Sequence, residues 1–176
     1  MPTPAFMSVT GAKQGNISAN AGTEASIGLK AVKGHEDQIL VQAIQHDLNV
    51  PRDPQTGQAT GQRVHMPFIV TKCVDASSPL LFTALTLGEN ITKIVIDYMK
   101  TNSNGAQVNY FTVTLENAII VDMKSYMPNC LDPACSHFTN MEDVSFTYGK
   151  ILWDFKGDGI TAISTSGADD WRNPIV

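Results

Sequence analysis

The stretch "ITKIVIDYMKTNSNGAQVNYFTVTLENAIIVDMKSYM", residues 91–127, decides the fold class. Over residues 110–115, Tyr110, Thr112 and Thr114 alternate with Phe111, Val113 and Leu115, which is the period-two pattern of a strand with one apolar face. Over residues 94–99, two sets of side chains alternate in the same way, Ile94, Ile96 and Tyr98 with Val95, Asp97 and Met99. Asn104-Gly105 lies between these runs, and both residues accept the positive φ of a type I′ turn, so a hairpin is predicted. Glu116-Asn117 is predicted to make the next turn, with residues 118–123 returning as a third strand.

Short apolar runs on both sides of this stretch predict further strands. They are residues 6–11, 24–27, 38–48, 63–74 (with Pro67 at an edge or bulge) and 144–155. Residues 38–48 could also form about three turns of helix by their pattern alone. We favour a strand there, because the run Ile39-Leu40-Val41 is typical of a strand buried on both faces.

One short helix is predicted over residues 78–87. Ser78 can cap free backbone N–H groups, Pro79 suits the first turn, and Gly88 suits the left-handed position after the helix. The chain is therefore predicted to be a single, mainly β domain over residues 1–176. We expect a small antiparallel β-barrel or sandwich with one short α-helix and a long extended loop at about residues 50–64.

Composition excludes several classes of partner. The 176 residues carry a net charge of −5, and charged residues make up only 16% of the chain. Scattered basic residues in an acidic chain do not neutralise a row of phosphates, so nucleic acid is not an expected partner. The sequence has no apolar run long enough for a membrane span, so membrane insertion is not expected, and no signal peptide is predicted.

The residue types that carry catalysis or bind metals do not form a familiar motif. His35, Glu36 and His46 could serve a metal-assisted hydrolase, but their spacing matches no standard zinc pattern. Cys130, Cys135 and His137 are at most three ligands, and a Cys130–Cys135 disulfide is an alternative to free thiols. No catalytic residue, metal or cofactor is predicted, and an enzyme is not expected.

The extended loop is the most unusual segment, because the only apolar side chains between Val50 and Val64 are prolines and Ala59. Ordering it would cost about 1–2 kcal/mol per residue in backbone entropy. We therefore expect it to be mobile unless a second subunit orders it. The residues predicted to make that contact are Pro51, Arg52, Asp53, Pro54, Gln55, Thr56, Gly57, Gln58, Thr60 and Gly61.

Trp171 and Arg172 form an aromatic and basic pair near the end of the chain. Such a pair at an exposed terminus suits docking onto a neighbouring subunit. The alternative is that Trp171 packs the tail onto its own domain. The unpaired edges expected of an open sheet would also favour contacts between identical copies, and a heterologous contact of this kind can close a ring.

Taken in order, several segments resemble the haemolysin-coregulated protein (Hcp) family of type VI secretion. They are "PTPAFMSVTGAKQGNISAN", "GHEDQILVQAIQHD", "PRDPQTGQATGQRVHMPFIVTK", "SSPLLFTALTLGE", "VNYFTVTLENAIIVDM", "YMPNCLDPA", "MEDVSFTYGKILW" and "SGADDWR". The resemblance implies a small β-barrel that assembles with itself into hexameric rings. The rings would stack into the inner tube of a contractile, phage-tail-like injector, with sheath and spike proteins as partners.

The resemblance also implies that small effector proteins are carried in the ring lumen, with the tube protein as their chaperone. It implies that residues 51–61 meet the adjacent ring. Assembly would be cytoplasmic, followed by secretion without a signal peptide to the outside or into a target cell. We expect a bare tube unit without a C-terminal effector domain. The alternative function is a soluble β-sandwich that binds a ligand through the polar loop at residues 50–64.

Overall fold

Eleven strands form within residues 3–157 and 164–172, the part of the chain that the computed structural model describes. They are β1 Ala5–Gly11, β2 Gly15–Asn16, β3 Ile39–Gln45, β4 Leu48–Asn49, β5 Val64–His65, β6 Phe68–Cys73, β7 Ile91–Thr101, β8 Gln107–Tyr126, β9 Met141–Thr147, β10 Lys150–Phe155 and β11 Thr165–Asp170. The helices are α1 Glu24–Ile27 and α2 Ser78–Thr86, with short 3₁₀ turns at Gly28–Lys30 and Pro133–Cys135.

Six of these strands close into an antiparallel barrel. The order is β8, β7, β1, β3, β6 and β9, and β9 pairs back onto β8. Strands β10 and β11 continue the sheet from β8 outside the closed barrel. The fold class is therefore confirmed, with the barrel rather than the sandwich. The expectation of an open sheet is wrong for these six strands, since closure pairs the edges that an open sheet would expose.

Strand β8 corrects the predicted turn at Glu116-Asn117. The strand is continuous over 20 residues, and Asn117 has φ 51° within it. Residues 111–116 pair with β10, and residues 119–126 pair with β9. The backbone N–H of Gly149, between β9 and β10, donates to the carbonyls of Glu116 and Asn117. The chain therefore turns a corner at Asn117 and continues, because two successive strands share one of its edges.

Other boundaries also differ from the prediction. Residues 24–27 form helix α1 rather than a strand. The strand predicted over residues 63–74 divides into β5 and β6 around Pro67, which lacks the N–H that a continuous ladder needs. The strand predicted over residues 144–155 divides into β9 and β10 at Tyr148-Gly149. Strand β11 was not predicted, because its Gly, Ser, Thr and Asp side chains look like a loop.

Helix α2 agrees closely with the prediction. It ends at Thr86, and Gly88 has φ 59° just beyond the helix, as expected. The predicted cap is wrong by one residue, because Ser77 precedes the helix and Ser78 lies inside it. Leu81 and Ala84 are buried against the barrel core. That core consists mainly of Met7, Val9, Ile39, Val41, Val70, Ile94, Ile96, Val113, Leu115, Val144 and Phe146.

Candidate functional site

The polar loop leaves the barrel between β3 and β6 and forms a hairpin, which we call the arm (residues 46–67). Strands β4 and β5 pair at its base, with Leu48 opposite His65 and Asn49 opposite Val64. Farther out, Arg52 and Ala59 form an isolated bridge. The long extended loop predicted from the sequence is a hairpin with its own backbone pairing.

The tip of the arm is a turn closed by Asp53. The backbone N–H of Asp53 donates to the Gln58 carbonyl at 2.9 Å, and the N–H of Gly57 donates to the Asp53 carbonyl at 2.8 Å. The Asp53 carboxylate accepts from the backbone N–H of Gln55, which lowers the pKa of that carboxyl. Gly57 has φ 71°, a conformation that glycine adopts without strain. Local hydrogen bonds thus shape the turn.

The predicted contact residues lie together on this hairpin. Asp53 is half-buried, and the other nine are exposed: Pro51, Arg52, Pro54, Gln55, Thr56, Gly57, Gln58, Thr60 and Gly61. Several of their backbone N–H groups bond within the hairpin, and their exposed side chains are available for contact with another molecule. Their role in contact with a second subunit stays a prediction.

A partly buried cluster of side chains lies at the base of the arm, and we call it the base cluster: His46, Arg63, His65, Tyr148 and Asp169. The Tyr148 hydroxyl lies 2.6 Å from His46 Nε2 and 2.7 Å from His65 Nδ1. His65 Nε2 lies 2.9 Å from Asp169 Oδ2, and the His65 side chain is only 1% exposed. The cluster joins the arm to the barrel and to β11.

Asp169 is the acidic end of the base cluster. Arg63 Nη2 donates to Asp169 Oδ1 at 2.6 Å, and Arg63 Nε also donates to this carboxylate. These bonds from Arg63, followed by the bond from His65, lower the pKa of the Asp169 carboxyl. Asp169 therefore stays ionised at neutral pH and holds two segments that are distant in sequence.

Burial is the main cause of the pKa shifts of His46 and Tyr148 in the base cluster. Burial lowers the pKa of His46, positive charge on His65 lowers it further, and Asp47 opposes both effects. Burial also raises the pKa of Tyr148, so its hydroxyl remains protonated at physiological pH. The protonated Tyr148 hydroxyl can donate a hydrogen bond to either imidazole and accept one from the other.

Trp171 packs onto its own domain. Its ring stacks on His65 at 5.4 Å between centroids, and its indole N–H donates to the Tyr148 carbonyl at 2.5 Å. Arg172 is exposed and its side chain lies near Gly149. The intramolecular contact is the alternative that the sequence left open for Trp171. Docking of this pair onto a neighbour stays a prediction.

The residues considered for a hydrolase make separate contacts. His35 stacks on Phe6, whereas His46 belongs to the base cluster. Within residues 3–157 and 164–172, no group of three or more His, Cys, Asp or Glu side chains could hold a metal ion. Cys130 and Cys135 are free thiols, with Cys130 exposed.

Sequence reasoning did not find the base cluster. Its five members come from β3's end, the arm, the turn after β9, and β11, and they are separated by up to 123 residues in the chain. The one local signal was the pattern Arg63-Val64-His65, which places two polar side chains on one face of a short strand. Nothing in that pattern names Tyr148 or Asp169 as partners.

Comparison with known proteins gives the family. Residues 6–155 match the family model described as "Type VI secretion system effector, Hcp". The chain belongs to the Hcp family. The major exported protein of Pseudomonas aeruginosa is similar to this Hcp, with 54% identity over 176 residues that cover 100% of this chain and 99% of the relative.

Solved structures are similar to this Hcp over nearly its whole length. One, described as "Crystal structure of Hcp protein", has a TM-score of 0.90 and 42% identity, covering 97% of this chain and 99% of the other. The secreted protein Hcp3 from Pseudomonas aeruginosa has a TM-score of 0.79 and 46% identity, with the same coverage. These findings confirm the resemblance read from the sequence. In the described part of the chain, no helix is long and apolar enough to span a membrane.

Proposed function

We propose that this Hcp is a structural subunit of the type VI secretion inner tube, without catalytic activity. Six copies close into a ring, and rings stack head to tail into a tube that the sheath expels behind a spike. Small effector proteins travel in the lumen. The observation that carries the proposal is an exposed polar arm on a chain of this family.

The two ends of the barrel differ in chemistry, as head-to-tail stacking requires. The arm lies where β3 ends and β6 begins, whereas residues 127–140 connect β8 to β9 beside the other end of β6. That second loop exposes large apolar side chains: Met127 67%, Leu131 88% and Phe138 49%. The base of the arm also exposes apolar side chains, at Leu48, Val50, Val64 and Met66, so it is the polar tip, residues 51–61, that differs from the loop at the other end. Contact between these unlike ends would stack rings head to tail.

Export is the second part of the proposal. It is supported by the 54% identical relative, which is named a major exported protein. We infer that this Hcp assembles in the cytoplasm and leaves the cell with the tube, without a signal peptide. Its partners would be identical copies, the sheath and spike proteins, and small effectors.

Light scattering after size exclusion, combined with negative-stain microscopy, tests the ring. We expect particles of six times the subunit mass with an annular outline. A monomer or dimer at every concentration would reject the tube and favour the alternative, a β-barrel that binds a ligand through its arm.

A further inference from the structure

The base cluster connects three parts of the molecule that are otherwise joined mainly by backbone pairing. His65 and Arg63 belong to the arm, Tyr148 to the turn between β9 and β10, and Asp169 to β11. His46 follows β3 directly, and its ring also packs 5.0 Å from that of Phe68. The arm and β11 are therefore attached to the barrel through one chain of hydrogen bonds.

The donors and acceptors in this chain can be assigned. Asp169 is ionised, so His65 Nε2 carries a hydrogen and donates to it. Neutral His65 then presents a lone pair at Nδ1, and the Tyr148 hydroxyl donates to it. The Tyr148 oxygen in turn accepts from His46 Nε2–H. All four groups are satisfied when both histidines are neutral.

One added proton is also accommodated. If His65 is protonated, its Nδ1–H donates to the Tyr148 oxygen, and the Tyr148 hydroxyl reverses to donate to His46 Nε2. If both histidines are protonated, two N–H groups point at one oxygen and the hydroxyl hydrogen loses its acceptor. Two positive charges then also share a partly buried site, where their repulsion is less screened than in water.

We propose that the base cluster is a proton-operated latch. It holds the arm and β11 tightly on the barrel while at most one of His46 and His65 is protonated, and it loosens both when the second proton binds, with the Arg63–Asp169 ion pair and the β10–β11 ladder remaining.

Several charged groups lie close to the two histidines. Asp169 faces His65, and Arg63 compensates most of its charge from the arm. Asp47 is the acidic neighbour of His46, and Asp170 lies near Arg63, whose Nη2 donates to the Asp170 carbonyl at 3.4 Å.

The pH range over which the latch loosens follows from the direction of the His46 pKa shift. Its pKa in the folded protein lies below the ordinary value of about 6.5, so the unfolded or loosened form binds more protons. The stabilisation is complete above about pH 6.5 and is lost as pH falls through the folded pKa. Asp169 does not contribute to this pH dependence, because its lowered pKa keeps the carboxylate ionised until the pH falls well below the ordinary value of about 3.9.

Hydrogen–deuterium exchange tests the latch on the full chain at fixed concentration. Peptides spanning residues 46–66 and 165–172 are followed from pH 8 to pH 5, after correction for the intrinsic pH dependence of exchange. We expect their protection to fall together below about pH 6.5, by up to about tenfold per pH unit for each proton bound on loosening. Protection of α2 and β7 should change little.

Two variants separate the latch from general acid sensitivity. His46→Gln keeps an N–H donor toward Tyr148 and cannot be protonated, so protection should persist toward pH 5. Tyr148→Phe removes the bridging hydroxyl, so protection of both peptides should be low at pH 8 and nearly independent of pH. His137→Gln and Tyr98→Phe, both outside the cluster, serve as matched controls and should behave as the parent.

The latch is wrong if the parent shows no pH dependence in these peptides, or if His46→Gln follows the same curve as the parent. Its consequence for assembly rests on the proposed function, since loosening of the arm would weaken ring stacking at low pH. Microscopy of parent and His46→Gln at pH 7.5 and 5.5 measures that consequence. If rings are absent at every pH, the proposed function fails, while the exchange result still decides the latch.

Discussion

Lys72 is a charged residue whose side chain is fully buried. Its ammonium lies 3.0 Å from Asp75 Oδ1, 3.0 Å from Glu142 Oε2 and 3.0 Å from the Ser78 hydroxyl. The Ser78 hydroxyl also donates to Glu142, which explains why this serine does not cap α2. The buried charges thus tie β6 and β9 to the start of the helix.

We expect Lys72→Met to destabilise the protein by about 3–5 kcal/mol, because it leaves two buried carboxylates without their cation. The free energy of unfolding from urea titration, at one fixed protein concentration, measures the effect. Lys93→Met is the matched control at an exposed position and should change stability by no more than about 0.5 kcal/mol. Equal effects of the two substitutions would show that the buried charges are not needed.

Strand β8 is the element that organises the barrel, since it pairs with β7 along one edge and with β10 and then β9 along the other. The change of partner occurs at Asn117, where the backbone is left-handed. Asparagine tolerates this conformation better than other residues that have a Cβ, and β-branched residues tolerate it poorly. The corner therefore depends on one residue in a long strand.

The change in stability caused by a substitution at Asn117 should depend on how well the new residue adopts the left-handed backbone conformation, rather than on lost side-chain contacts. Asn117→Val is expected to cost about 1–2 kcal/mol from the left-handed conformation alone. Asn117→Gly, the control, removes the same side chain without that strain and should be nearly neutral. Thermal and urea unfolding of the pair measure the difference, and an Asn117→Gly loss as large as that of Asn117→Val would contradict the explanation.

The molecule as a whole is a closed barrel with a hairpin arm at one end and an exposed apolar loop at the other. Closure leaves β11 as the outer strand beyond β10 in the described part of the chain. If copies assemble as proposed, we expect their contacts to involve this strand and the two ends of the barrel. Lys30 Nζ donates to Thr139 Oγ1 at 2.8 Å and joins the segment before β3 to the loop opposite the arm. That end is thus built from two connected segments.

Shortening the arm tests its proposed role in stacking. A Cβ on Gly61 would lie 3.5 Å from Pro51 Cγ, so the two positions are adjacent and a two-residue Asn-Gly turn can replace residues 52–60. We expect the variant to fold and form rings but to form few or no stacked tubes by electron microscopy. The control replaces residues 102–106 with Asn-Gly, since Thr101 and Gln107 pair at the base of that hairpin. Tubes as abundant as those of the parent would refute the role of the arm.

Patterns within the sequence predicted much of the fold because they reflect local physical preferences. Alternation identified β7 and the first half of β8, and Ser-Pro with a later glycine identified α2. Asn104-Gly105 identified the position of the hairpin turn, but the predicted type I′ geometry was wrong, because only Gly105 has a positive φ. Strand β11 was missed because its small polar side chains carry no alternation, and it is a strand only because β10 offers a ladder. The turn predicted at Glu116-Asn117 was wrong because a left-handed asparagine suits both a turn and a corner within a strand.

The sequence by itself determined the fold class, the family resemblance and the position of the arm, since each depends on residues that are close together in the chain. Only the tertiary structure decided that the barrel closes, that the arm is a hairpin, and that His46, His65, Tyr148 and Asp169 meet at its base. These features depend on which distant strands pair, and pairing is chosen by burial of the whole barrel core at once. Local preference does not specify that choice.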